Sequence, residues 1–266
     1  MNGSRFSELE YRTEAGAPGE PLTAWIVLDR PHALNAFTST LYRELRDAVR
    51  LAEADPGVDT IVITGRGRAF ATGGDLREGL VVTAPDADPL AVYRFVDNLP
   101  FDAVRHSPKV VIAAVNGICV GGGLITAMSA DIVIAAESAR FGLPEGKVGM
   151  AEPWAPDLLF GRISTALLKY LALTGKLISA REAQVAGMIL RAVPDAALEA
   201  EVREVIAEVR GTLPRARSQY KEYINRLIPE TPQREAAAVM RSPEARAALE
   251  AFVGDEAAVT VNRPNP

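Results

Sequence analysis

The chain has 266 residues, 48% of them hydrophobic and 24% charged, which is ordinary globular usage with enough material for a large core in one or two domains. A formal net charge of −5 and an aromatic content of 6% argue against nucleic-acid partners, which need positive surface and stacking rings. One cysteine (Cys119) and two histidines (His32, His106) exclude an internal disulfide framework and argue against a cysteine- or histidine-rich metal centre.

The opening residues Met1 to Glu8 carry no apolar core behind a basic region, so no secretory leader is expected and a reducing, cytoplasmic setting is. Leu9 to Thr13 reads as a weak strand and Thr23 to Leu28 as a stronger one, stopped by Arg30-Pro31-His32. Thr38 or Ser39 can cap a helix whose apolar positions Leu41, Leu45, Ala48, Val49 and Ala52 recur at three- and four-residue spacing. Thr60 to Ile63 is a buried strand. A helical stretch through Leu90, Tyr93 and Val96 then leads to the strand Val110 to Val115. A helix from about Gly122 and the strand Ile132 to Ala135 follow.

Val110 to Ala130 is uncharged and long enough to span a bilayer, but Asn116-Gly117 and Gly121-Gly122-Gly123 interrupt it. Strand, glycine turn, short helix and strand fit that punctuation, so no membrane span is expected. Strands alternating with helices predict an α/β fold with mostly parallel pairing. Beyond Pro156 the pattern turns nearly all helical, with segments at 164–174, 179–187, 195–210, 215–227 and 243–253. Gly254 to Pro266 reads as a frayed or partner-held tail.

Two glycine clusters share one design. Phe70-Ala71-Thr72-Gly73-Gly74-Asp75-Leu76 and Asn116-Gly117-Ile118-Cys119-Val120-Gly121-Gly122-Gly123 each run from a strand exit into a helix start. Helix starts present unpaired N–H groups, and glycine lets a ligand approach the backbone. Two such starts facing one point would form an oxyanion hole; otherwise both are tight turns. Neither cluster is a phosphate-binding loop or a dinucleotide fingerprint.

Together with Leu28 to Phe37, these clusters resemble the ordered signatures of the enoyl-CoA hydratase/isomerase (crotonase) superfamily. Phe141-Gly142-Leu143-Pro144-Glu145 with Val148-Gly149 matches its catalytic loop, and Leu173 to Gly175 with Ser179 to Ala183 matches its next helical block. The similarity spans residues 25 to 253. It implies a crotonase-like spiral of ββα repeats over residues 1–195, followed by a C-terminal helical trimerisation region and tail over 196–266. It implies an acyl-CoA thioester ligand, with coenzyme A as part of the substrate and no separate metal or redox cofactor. Trimers that often pair into hexamers are expected.

The resemblance carries the oxyanion donors onto the amides of Gly74 and Gly122, and a general acid/base onto Glu145. It places Ala33, Ala71, Thr72, Asp75 and Leu76 along the substrate site, with Ile125 and Trp154 beyond them. A carboxyl at the mouth of an apolar pocket gains a raised pKa and can move protons near neutrality. Hydratases of this family carry a second glutamate where this chain has Ile125, which counts against classical hydration. Isomerisation needs only one base. In Met150-Ala151-Glu152-Pro153-Trp154-Ala155-Pro156, Glu152 is either a second acid/base or a helix cap.

Asp75 is expected to stabilise its helix start. Arg30, Arg66, Arg68 and Arg77 are either solvated or available to CoA phosphates. His106 reads as structural and Cys119 as an inert buried thiol. Competing readings are a non-catalytic acyl-CoA-binding homologue and, against the acidic charge balance, an RNA-binding derivative.

Overall fold

The computed structural model describes residues 5–16, 19–84, 86, 88, 91–230 and 242–254. Its frame is a six-stranded sheet built from β1 (Leu9–Ala15), β2 (Leu22–Leu28), β3 (Val58–Gly65), β5 (Val110–Val115), β7 (Ile132–Ala136) and β10 (Arg191–Val193), in that order. β1 pairs antiparallel with β2, and every later neighbour is parallel. The inner strands are near-continuous runs of Val, Ile and Ala, as expected of parallel strands covered on both faces.

A second, four-stranded sheet stands beside it, in the order β4 (Ala69–Ala71), β6 (Ile118–Val120), β8 (Arg140–Gly142), β9 (Leu177–Ser179). The chain visits one sheet and then the other before entering a helix or helical turn. β3–β4 leads to α2 (Leu76–Val82), β5–β6 to α5 (Gly122–Ser129), and β7–β8 to the 3-10 turn Pro144–Val148. This is the spiral of ββα turns. The short strands correct two readings: the glycine clusters contain β4 and β6 rather than turns alone, and β9 and β10 interrupt the helical C-terminal part.

Between β2 and β3 lies α1 (Ser39–Ala54), capped by Thr38, whose Oγ1 accepts from the Leu41 amide at 2.9 Å. The predicted apolar stripe Leu41, Leu45, Ala48, Val49 and Ala52 is fully buried. α3 (Ala91–Asp97) and α4 (Phe101–His106) complete this face; Leu90 lies outside the described residues.

After the 3-10 turn come α6 (Trp154–Leu159), α7 (Thr165–Thr174) and α8 (Ala180–Val185), then α9 (Leu198–Arg210) and α10 (Pro214–Asn225). α9 covers the other face of the large sheet, packing Leu198, Val202, Val205 and Ile206 on Trp25, Val62, Ile112 and Ile134. The last described helix, α11 (Pro243–Gly254), folds back on α2 and the 3-10 turn. The tail reading for 255–266 lies outside the described residues. No helix among the described residues is long and apolar enough to cross a membrane.

Candidate active site

Strand pairing brings the two glycine clusters together. β4 and β6 run parallel with Ala71 opposite Cys119, so their carboxyl ends open side by side. Ligands of parallel α/β sheets bind beyond such ends. Beyond β4 the chain passes Gly73 and Gly74 to Asp75, the N-cap of α2; beyond β6 it passes Gly121 to Gly122, the first residue of α5. The two clusters touch: a Cβ built on Gly73 would lie 3.3 Å from the Gly122 amide nitrogen.

Phe37 borders Gly74 in a bridge, with the Phe37 amide donating to the Gly73 carbonyl at 2.8 Å and the Asp75 amide donating to the Phe37 carbonyl at 2.7 Å. That bridge leaves the intervening Gly74 amide uncommitted. Among the described residues neither the Gly74 nor the Gly122 amide has an acceptor.

The third parallel strand delivers the carboxylate. β8 lies beside β6 with Gly142 opposite Val120, and its exit runs through Leu143 into the turn bearing Glu145. Gly121 has φ +55° and ψ −133°, a backbone conformation that favours glycine, and a Cβ there would displace the Glu145 carboxyl. Glu145 Oε2 is buried with no hydrogen-bond partner among the described residues. Desolvation raises the Glu145 pKa to about 7. Glu152 is raised further, to about 8, by desolvation first and then by the charge of Glu145; the Trp154 amide donates to its Oε1 at 3.3 Å. The two carboxyls act as one titrating pair, because neither ionises easily beside the other charge.

Aromatic rings wall the pair although the chain is poor in them. Tyr42 stacks on Phe37 at 4.3 Å between centroids and meets Phe95 and Phe101 edge-on, and Phe101 meets Trp154 at 5.2 Å. Trp154 thus packs beside the carboxyls. Tyr42 was not singled out from the sequence. Its signal is faint: a polar-tipped ring beside Leu41 on an otherwise apolar helix face.

The remaining candidates divide. Ala33 and Thr72 are half-buried near the first two signatures, and Thr72 Oγ1 donates to the Leu34 carbonyl at 3.4 Å. Leu34 and Asn35 hold positive φ, and buried Asn35 pins this loop by accepting from the Arg30 amide at 2.9 Å and donating to the Ala69 carbonyl at 2.8 Å. Ala71 is buried and Leu76 is half-buried at the start of α2. Asp75 accepts from the Arg77 amide at 3.1 Å and pairs with Arg30 at 3.5 Å, which is the structural role expected of it. Ile125 is fully buried in the main core, so α5 contributes no carboxylate there.

Arg30 and Arg66 are committed to Glu8, Asp75, Glu10 and Asp29, whereas exposed Arg68 and Arg77 have no acidic partner among the described residues. Cys119 is buried with its thiol pKa pushed up by desolvation, as expected of an inert thiol. Exposed His106 ends α4. Among the described residues no cluster of histidine, cysteine and carboxylate could hold a metal. A cavity of about 430 Å³ between α5, α9 and α10 contains the Asp131–Lys221 pair but none of the candidate site residues.

Two sheets wound as a spiral, with catalytic-type groups at the shared strand ends, define a crotonase-fold protein. Residues 22–245 match the model of the enoyl-CoA hydratase/isomerase family. A probable mitochondrial enoyl-CoA hydratase of Dictyostelium discoideum is 36% identical over 204 residues, covering 75% of this chain and 71% of that protein. The probable enoyl-CoA hydratase echA8 of Mycobacterium tuberculosis is 37% identical over 202 residues, covering 76% and 77%. The crystal structure of an enoyl-CoA hydratase/isomerase from Mycobacterium paratuberculosis superposes with a TM-score of 0.82 at 26% identity, over 93% of this chain and 99% of that one. The chain belongs to the enoyl-CoA hydratase/isomerase family.

Proposed function

We propose that the protein moves a proton on an acyl-CoA thioester through an enolate held by the amides of Gly74 and Gly122. The observation that carries this reading is a pair of uncommitted amides beside two carboxyls of raised pKa. In the proposed cycle, ionised Glu145 takes a proton from the carbon next to the thioester carbonyl. The electron pair spreads onto the carbonyl oxygen, where the amides stabilise it by about 2.7–4 kcal/mol per donor. The proton returns to the same carbon or to the γ-carbon, and return at the γ-carbon shifts the double bond. Near neutrality the carboxyl pair holds about one proton, with Glu152 the more basic member, so base and acid coexist.

Isomerisation or another enolate reaction is favoured over classical hydration because Ile125 supplies no carboxylate to hold water. Hydration is the second reading, supported by Glu152 as a substitute second carboxylate. Arg68 and Arg77 supply cations for the CoA phosphates, and no metal or redox group enters the cycle. Exposed Leu213, Tyr220, Tyr223, Ile224 and Leu227, on and flanking α10, support assembly of several copies; the setting proposed is cytoplasmic.

The test offers a panel of 2- and 3-enoyl-CoA thioesters in D₂O. Deuterium uptake at the α- or γ-carbon is expected, and Glu145→Gln should cut it about 10²–10⁴-fold while leaving thioester affinity within a few-fold. Formation of 3-hydroxyacyl product without γ-exchange would favour hydration. Tight binding without any exchange would leave a binding protein, and full activity in Glu145→Gln would unseat the assigned base.

A further inference from the structure

The Tyr42 ring is 4% exposed and locked by its stack on Phe37, at an interplanar angle of 6°, and by edge contacts with Phe95 and Phe101. Such a ring cannot swing its hydroxyl elsewhere. The hydroxyl reaches over the start of α5, where a Cβ on Gly122 would overlap it, and stands 3.8 Å from the Cβ position of Gly74. It therefore lies close to both residues whose amides are uncommitted.

Among the described residues the hydroxyl has no hydrogen-bond partner. Although the ring is buried, its oxygen is not sealed from solvent, so a ligand entering beside it can accept the hydroxyl's hydrogen bond. Burial and the charges of Glu152 and Glu145 raise its pKa well above the ordinary value, so it keeps its proton and acts as a donor at working pH. A phenolate there would face two carboxylates. A donor beside two other donors matches an oxygen that gains negative charge.

We propose that the Tyr42 hydroxyl is a third hydrogen-bond donor to the thioester oxygen, acting with the amides of Gly74 and Gly122. This rests on the acyl-CoA reading above. It gives α1 a catalytic residue and explains a polar atom inside an otherwise apolar wall.

The test compares the native protein with Tyr42→Phe, which keeps the ring and its stacking, and with 3-fluorotyrosine at position 42, a more acidic and stronger donor. Difference infrared spectroscopy follows a ¹³C-labelled thioester carbonyl on binding an enoyl-CoA. The carbonyl stretch should move to lower frequency in the native protein, less in Tyr42→Phe and further with fluorotyrosine. Turnover in Tyr42→Phe should fall about ten- to a hundredfold with KM within threefold and an unchanged melting temperature. Identical carbonyl shifts in all three proteins would overturn the proposal. So would a Tyr42→Phe effect confined to the pH profile, which would assign the hydroxyl to Glu152. Absence of any carbonyl shift in the native protein would instead overturn the acyl-CoA reading itself.

Discussion

At the residue scale, the proposed chemistry depends on two carboxyls that compete for charge. Desolvation raises both, and Glu145 raises Glu152 further. Below about pH 7 both hold protons and no base remains; above about pH 8 both are ionised and no acid remains. With Glu152 as the proton donor the rate should trace a bell between these limits, whereas Glu145 shuttling the proton alone would give one ascending limb and a plateau. In Glu152→Gln the alkaline limb should disappear from whatever activity survives, leaving one ascending limb. A profile with both limbs intact would remove Glu152 from the proton path. Glu145 and both glycines stand out as candidates because the signatures surround them with a fixed local pattern, and the structure brings their segments together. Glu152 was legible only as an alternative, since a carboxylate ahead of a helix caps it as readily as it moves protons. Tyr42 was hidden because its hydroxyl position is set by Gly122, which is distant in the chain.

At the element scale, periodicity located the long strands and α1, whose stripe repeats over several turns. It missed β4, β6, β8, β9 and β10, each three residues long, because alternation needs more residues than that to register. Three of them, β4, β6 and β8, nonetheless position the candidate site, since their pairing aligns the exits leading to Gly74, Gly122 and Glu145. Only non-local hydrogen bonding creates them. α11 depends on non-local contacts in another way. Its Arg246 donates to the Thr83 carbonyl at 2.6 Å and the Leu80 carbonyl at 3.3 Å, at the end of α2 where free carbonyls attract a cation. Arg246→Ala should speed amide hydrogen exchange in 243–254 about ten- to a hundredfold and leave β3 and β5 unchanged, given about 1.5–3 kcal/mol for charged hydrogen bonds. Unaltered exchange in α11 would show that its apolar contacts hold it alone.

For the whole molecule, the raised carboxyls carry a stability cost of predictable sign. Between their ordinary value of 4.5 and the raised values near 7 and 8, the folded chain binds more protons than the unfolded one. Stability from these groups is therefore fully present at low pH and lost as pH rises through that window. Glu152→Gln should match the native protein near pH 5 and exceed it at pH 8.5 by at least about 1 kcal/mol, or about 2–4 °C in melting temperature. Equal melting curves at pH 8.5 would mean that Glu152 is well solvated.

The chain's two tryptophans report on different neighbourhoods. Trp154 donates its amide to Glu152 and touches Phe101, so an acyl chain entering the proposed site would alter its surroundings directly. Trp25 is sealed between the large sheet and α9, with the guanidinium groups of Arg12 and Arg203 over its ring at 5.0 and 5.3 Å. One indole serves as an optical sensor of occupancy and the other as its built-in reference, so fluorescence can follow filling of the pocket with no label attached.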